Sequence, residues 1–305
     1  LRGAIGTSVG TGLWRTVRPI LAVVIAAGLT LCATSGCAGP ADGQAPGGPG
    51  ETLVIRGSDT MVNLVAAWAE GFMSANPNLR VSVQGGGSAS GFAALIDGST
   101  DLASASRPIK ESEIKALEAK DKSAIERVVA YDAVVFIVNP HNPVSDLTMA
   151  ELSGILTGGI TNWKDVGGPN TGITIYGRES SSGTYAFVQE KVMGGADYVT
   201  RARLMPSTVS IAQAVAQDKT GVGYVSLGYL TSLIKIVGVA QDSVSAPVAP
   251  SAVTVLDSSY PIARSLYFYS AGAPSRSGEA FVEFCLSKIG ADIASEVGFV
   301  PTGGT

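Results

Sequence analysis

Apolar and polar residues follow two rhythms that take turns along this chain. Short strand-like runs stand at 52–56, 80–83, 101–105, 128–138, 173–176, 223–226 and 265–269. Between them apolar residues recur at helical spacing. Met61, Leu64, Val65, Trp68 and Phe72 form one stripe, closed by Asn76-Pro77. Ile114 and Leu117, then Leu152, Ile155 and Leu156, then Ile211 and Val215, continue the rhythm. The first stripe predicts a helix face turned to a core. Strands alternating with helices predict an α/β fold with largely parallel sheets. Such sheets hold ligands just beyond the carboxyl ends of their strands.

The first fifty residues obey different rules. Arg15 and Arg18 precede an uncharged run over 20–31, and small residues lead from it to Cys37. A basic start, a short apolar stretch and a small-residue exit predict a secretion signal over 1–37. The apolar run is about 12 residues, against about 20 for a spanning helix. Ala33-Thr34-Ser35-Gly36-Cys37 resembles a bacterial lipobox, with Thr34 where an aliphatic residue is preferred. Cys37 is therefore expected to be lipidated and to anchor the chain at the outer face of the cell membrane. An ordinary signal cut near Ala38 is the alternative. Residues 38–50 are rich in Gly, Pro and Ala without a periodic apolar face, and predict a flexible tether.

Charge and cysteine usage narrow the classes. The formal net charge is −4, and residues 1–37 hold three Arg and no acid, so the folded body is the more acidic part. No basic field points to nucleic acid. Any anion must be held by a local site. Cys32 and Cys37 fall in the signal, and Cys285 lies in an apolar helical pattern with Phe281, Phe284 and Leu286. Cys285 is expected to be a packing residue, with no disulfide framework. Stability must come from a hydrophobic core, which about 250 residues suffice to build. A serine nucleophile needs a general base, and the sole histidine, His141, lies in the turn-like Asn139-Pro140-His141-Asn142-Pro143. There is no G-x-S-x-G elbow, no metal-spaced His/Cys cluster and no P-loop. Neither an enzyme nor a cofactor is expected.

Four strand ends carry similar chemistry. They are Gly57-Ser58-Asp59-Thr60, the run from Gly85 to Gly91 containing Ser88, the segment Ser104-Ala105-Ser106-Arg107, and the segment from Arg178 to Ser182-Gly183-Thr184. Glycine lets backbone N–H groups approach a ligand. A helix start leaves about four N–H groups unpartnered at the positive end of its dipole. Hydroxyls and two Arg add donors, so these segments together suit an oxyanion. Each has a plainer reading alone: Ser58 or Asp59 as a helix cap, the glycines as a loop, Arg107 and Arg178 as partners of surface acids.

These residues also resemble a known family. Gly57-Ser58-Asp59-Thr60-Met61, Gly87-Ser88-Ala89-Ser90-Gly91, the stretch from Asp101 to Arg107, and Leu152-Ser153-Gly154-Ile155-Leu156-Thr157-Gly158 with Ile160-Thr161-Asn162-Trp163 carry the resemblance. Arg178 with Ser182-Gly183-Thr184 completes it. Together they resemble the phosphate-binding subunit of bacterial phosphate ABC importers, from about Leu53 to the C-terminus. The resemblance implies the type II periplasmic-binding-protein fold: two α/β lobes joined by two crossing strands, near 131–138 and 262–269, with a ligand cleft between them. It places lobe 1 at 51–133 and 265–305, and lobe 2 at 134–264. It implies inorganic phosphate as ligand and ABC permease subunits as partners. Arg178, Ser182, Gly183 and Thr184 would hold phosphate from lobe 2, and Ser88 with Ser58, Asp59 and Thr60 from lobe 1.

The resemblance breaks at one place. Where the family carries an Asp that accepts the ligand's proton, this chain has Ser106 followed by Arg107. A carboxylate takes a proton from phosphate but repels sulfate, which has none to give. Asp59 is expected to fill that role, with Arg107 adding charge; a helix-capping Asp59 paired with Arg107 is the rival. Sulfate, molybdate and arsenate are competing ligands. A sensor or adhesion protein on the same fold, or a phosphate-ester hydrolase, are the other classes.

Overall fold

The computed structural model describes residues 52–303. The expected signal over 1–37, its Cys37, and the tether over 38–50 lie outside the described residues. β1 (Thr52–Gly57), β2 (Arg80–Gln84) and β3 (Leu102–Ala105) run parallel, with β1 in the middle. The crossovers are α1 (Val62–Ala75) and α2 (Ser88–Asp97). The stripe read in the sequence faces inward: Met61, Leu64, Val65, Trp68 and Phe72 are all 2% exposed or less. Burying each such side chain contributes about 1.5–3 kcal/mol. Trp68 enters without stranding its donor, because Nε1 reaches the Gly290 carbonyl at 2.8 Å.

After α3 (Glu111–Glu118) comes β4 (Ala124–Val138), fifteen residues long. The chain then forms β5 (Asp146–Thr148), α4 (Met149–Thr157), β6 (Thr174–Arg178), α5 (Gly183–Lys191) and β7 (Arg203–Met205). α6 (Thr208–Gln217), β8 (Gly221–Ser226), β9 (Lys235–Ile236) and β10 (Gly238–Ala240) follow, and then β11 (Ala263–Ala271) and β12 (Val300–Pro301). β7, β6 and β8 make a second parallel sheet. β4 changes partners along its length. From Ala124 to Ala133 it pairs antiparallel with β11, and from Val134 to Val138 antiparallel with β8. β11 also pairs with β3. The order β2-β1-β3-β11-β4-β8-β6-β7 therefore joins the two parallel sheets through two crossing strands. From Ala133 to Val138 every residue of β4 is fully buried, which is why its sequence reads as an unbroken apolar run.

The seven strands read from the sequence all occur, with ends moved by a few residues. β4 begins four residues earlier than its apolar run, because the exposed Glu126 and Arg127 still pair with β11. β5, β7, β9, β10 and β12 were not expected. They are two or three residues long, too short to show a period. Cys285 is buried, and burial pushes its thiol up, as suits a packing residue. Among the described residues no helix is long and apolar enough to cross a membrane.

Candidate functional site

Four chain segments meet where the two sheets face each other. β1 ends at Gly57, whose φ of +142° and contact with the Ser104 carbonyl leave no room for a side chain. The next residue turns inward: Ser58 N donates to Ser104 O at 2.8 Å and to Ser104 Oγ at 3.0 Å. Ser58 precedes the short turn Asp59–Met61 but does not cap it. Its Oγ is buried and has no partner. Ser88 opens α2 fully buried, and its Oγ accepts from Ser106 N at 3.1 Å. Ser106 Oγ lies 3.4 Å from Ser88 Oγ.

The second sheet supplies the facing group. Ser182 caps α5, accepting from Thr184 N and Tyr185 N. Gly183, the first residue of α5, lies against both Ser88 Oγ and Ser106 Oγ, where a Cβ would collide. Thr184 Oγ1 meets Thr60 Oγ1 at 2.8 Å, and Ala89 N donates to Ser181 O at 3.1 Å. Strand-end loops of the two sheets are thus in direct contact.

Arg178 ends β6 and is 2% exposed. Its Nη1 contacts Thr208 Oγ1 at 2.9 Å and Asp59 Oδ2 at 3.0 Å, and Nη2 donates to Pro206 O at 3.0 Å. Nε is buried with no partner. Burial pulls the guanidinium below its usual range, and the Asp59 carboxylate works against that. Asp59 Oδ2 also accepts from Thr208 N at 2.9 Å, at the positive end of α6. The backbone of Arg178 is held as well: its N–H donates to Tyr224 Oη at 3.1 Å, which lies 2.9 Å from Tyr198 Oη. Burial pushes the Tyr224 phenol up to about 12, so it stays neutral.

Of the residues expected at the site, Ser58, Asp59, Thr60, Ser88, Ser106, Arg178, Ser182, Gly183 and Thr184 come together. Arg107 does not, and this corrects the sequence reading. Its fork makes a two-pronged pair with Glu113 at 2.8 and 2.7 Å, and its guanidinium lies 4.9 Å over the Phe92 ring. The matched geometry of guanidinium and carboxylate within one segment outcompetes a reach into the cleft. The Asp59–Arg107 pairing is absent for the same reason; Asp59 pairs with Arg178 instead.

Four participants were not expected. Thr208 holds Asp59 and Arg178 together, and Tyr229 Oη donates to the Asp59 carbonyl at 3.0 Å. Asp132 and Arg264 face each other across β4 and β11. Thr208 follows Pro206-Ser207 at the head of a helical pattern, a readable start signal. Asp132 and Arg264 are charges of opposite sign inside the two runs read as crossing strands, and that pairing was a usable signal.

Two parallel α/β sheets joined by crossing strands, with buried donors gathered at the strand ends between them, define a solute receptor of the type II periplasmic-binding-protein fold. Residues 42–288 match the family model of the PBP superfamily domain. The phosphate-binding protein PstS of Pseudomonas aeruginosa is 31% identical over 277 residues, covering 85% of each chain. PstS of Bacillus subtilis is 30% identical over 289 residues, covering 92% of this chain and 93% of that one. A Clostridium perfringens substrate-binding protein solved with bound phosphate superposes with a TM-score of 0.75 at 28% identity, covering 83% of this chain and all of that one. The chain belongs to this superfamily and, within it, to the family of phosphate-binding proteins.

Proposed function

We propose that the protein is an extracytoplasmic receptor that binds inorganic phosphate in the cleft between two lobes and delivers it to an ABC importer. One observation carries the ligand assignment. The buried Ser58 Oγ and Arg178 Nε are donors without acceptors, on strand-end segments that meet those carrying the buried Ser88, Ser106 and Thr184 hydroxyls. A stranded buried donor costs about 1–3 kcal/mol, so a donor cluster of this kind calls for an acceptor-rich ligand. Tetrahedral phosphate has four oxygens to offer. The similar proteins named for phosphate binding, and the neighbour with phosphate bound, support the same choice.

Asp59 Oδ2 takes the bonds from Arg178 and Thr208, and we assign Oδ1 as acceptor of the ligand's proton. The lobes are read as 51–133 with 265–305, and 134–264. The change of partner between Ala133 and Val134 on β4 supports that division. Ligand bridging donors of both lobes favours the closed form, which is the form offered to the permease. The imidazole of His141, the base a serine nucleophile would use, lies against Asn139 in the turn after β4. Isothermal titration of the purified protein with phosphate, sulfate and arsenate tests the reading. A single phosphate site with weak or no heat from sulfate is expected; sulfate binding without phosphate binding overturns it. Anchoring through Cys37 predicts that a lipid label incorporated by the wild type is lost in Cys37→Ser and that the variant is released to the medium or periplasm. A labelled or membrane-retained variant contradicts it.

A further inference from the structure

We propose that Arg264 is a positioning residue that sets the hydroxyl of Thr184 for the ligand and joins it to the opposite lobe only when the cleft is closed. The proposal rests on the phosphate-site reading given above. Arg264 stands on β11 directly opposite Asp132 on β4, and both are buried where the crossing strands meet. Nε and Nη2 donate to Asp132 Oδ2 at 3.0 and 2.7 Å. Asp132 Oδ1 in turn accepts from Ser226 Oγ at 2.6 Å and Leu227 N at 3.2 Å, which ties the pair to the end of β8. Two of the three guanidinium nitrogens are therefore committed along one edge, and the orientation of the third nitrogen follows from them.

That nitrogen, Nη1, donates to Thr184 Oγ1 at 3.0 Å and to Ser106 O at 3.1 Å. Its two hydrogens serve two acceptors, one on each side of the cleft. A guanidinium has no lone pair, so Thr184 can only accept from it. The hydroxyl hydrogen of Thr184 is thereby turned away from Arg264, toward Thr60 Oγ1 or toward an oxyanion in its place. The positive charge behind the oxygen also strengthens the hydroxyl as a donor. Ser106 O belongs to the end of β3, whereas Thr184 belongs to α5 beyond β6. Separation of the lobes takes one of these acceptors out of reach, so the fork is complete only in the closed form. Phe187, 5.4 Å from the guanidinium carbon, covers its face.

Lysine at 264 keeps a charge for Asp132 but lacks the rigid fork that holds Asp132, Thr184 and Ser106 at once. The purified proteins to compare are the wild type, Arg264→Lys, and the neutral pair Asp132→Asn with Arg264→Gln, which leaves no buried charge unpaired. Phosphate affinity by titration calorimetry, association and dissociation rates by stopped flow, and ligand-free melting temperature are measured for each. Expected is a loss of affinity of about 10- to 100-fold in both variants, expressed as faster dissociation, since closure follows encounter. The neutral pair should show this loss even where its melting temperature matches the wild type, a combination that a purely structural role does not produce. Wild-type dissociation rates in a folded variant, or a loss confined to association, overturn the proposal for Arg264 alone. Absence of phosphate binding in the wild type instead overturns the phosphate reading and, with it, this inference.

Discussion

Asp59→Asn separates two roles of one carboxylate. Asp59 Oδ2 receives Arg178 Nη1 at 3.0 Å and Thr208 N at 2.9 Å. Stripping a buried ion of its partner costs about 3–5 kcal/mol. Here the Arg178 side chain is 2% exposed but that of Asp59 is 21% exposed. Water reaches the acid, and Asn keeps an acceptor oxygen, so about 2 kcal/mol is the appropriate loss. For a chain of this size that lowers the melting temperature by about 4–8 °C. The second role concerns the ligand. An oxyanion sharing the Arg178 fork with Asp59 lies about 5 Å from its carboxylate, where a unit charge repels by about 3 kcal/mol at an effective dielectric constant of about 20. Phosphate offsets this by donating its proton to the carboxylate, a charged hydrogen bond contributing about 1.5–3 kcal/mol. Sulfate has no proton and receives no offset. Removing the charge should therefore shrink the ratio of phosphate to sulfate affinity by about 30-fold, corresponding to about 2 kcal/mol. Competition titrations near neutral pH give the ratio, and thermal melts of the ligand-free proteins give the stability. A lowered melting temperature with an unchanged ratio would refute the selectivity argument and leave Asp59 as the counterion of Arg178 only.

Two further perturbations test closure and acid stability. Gly183→Ala places a methyl group against Ser88 Oγ and Ser106 Oγ across the cleft. Overpacking of about 1–3 kcal/mol falls on the closed form, so phosphate affinity should drop about 10- to 100-fold; titration at wild-type affinity would contradict the closed contact. Asp218 follows α6, at the end of that helix opposite Thr208. Burial pushes its carboxyl up, but hydrogen bonds from Thr220 and Tyr176 outweigh that and hold it below its ordinary 3.8. A depressed carboxylate stabilises the fold at pH above 3.8 and loses that contribution as pH falls below it. Asp218→Asn should accordingly melt lower than the wild type at pH 7, with the gap narrowing as the pH falls below 3.8, and a gap that keeps its width across that range would count against the assignment.

Legibility in the sequence followed locality. The α1 stripe, the parallel strands and the donor-rich strand ends could all be read because each depends on neighbours within a few positions. Selectivity and charge pairing depend on partners that the fold brings from far along the chain. Asp59 meets Arg178 and Thr208, more than a hundred residues away, and the sequence offered Arg107 as the nearer cation. Arg107 was already matched by Glu113, whose carboxylate also accepts the Lys110 N–H at the start of α3. A local acid at that spacing is therefore the better predictor of an Arg's partner than its place after a strand. Arg264 shows the converse. No acid lies within six residues of it in the chain, and burial inside an apolar strand demands a partner, which here comes from another element. Asp132, the one acid within the buried stretch of the other crossing strand, satisfies that demand. The same reasoning separates the two arginines by role: a charge matched locally supports its own segment, whereas a charge stranded in a core strand ties distant segments together. In this fold the segments so tied are the two sides of the cleft, so the state of the cleft is coupled to whether that tie is complete.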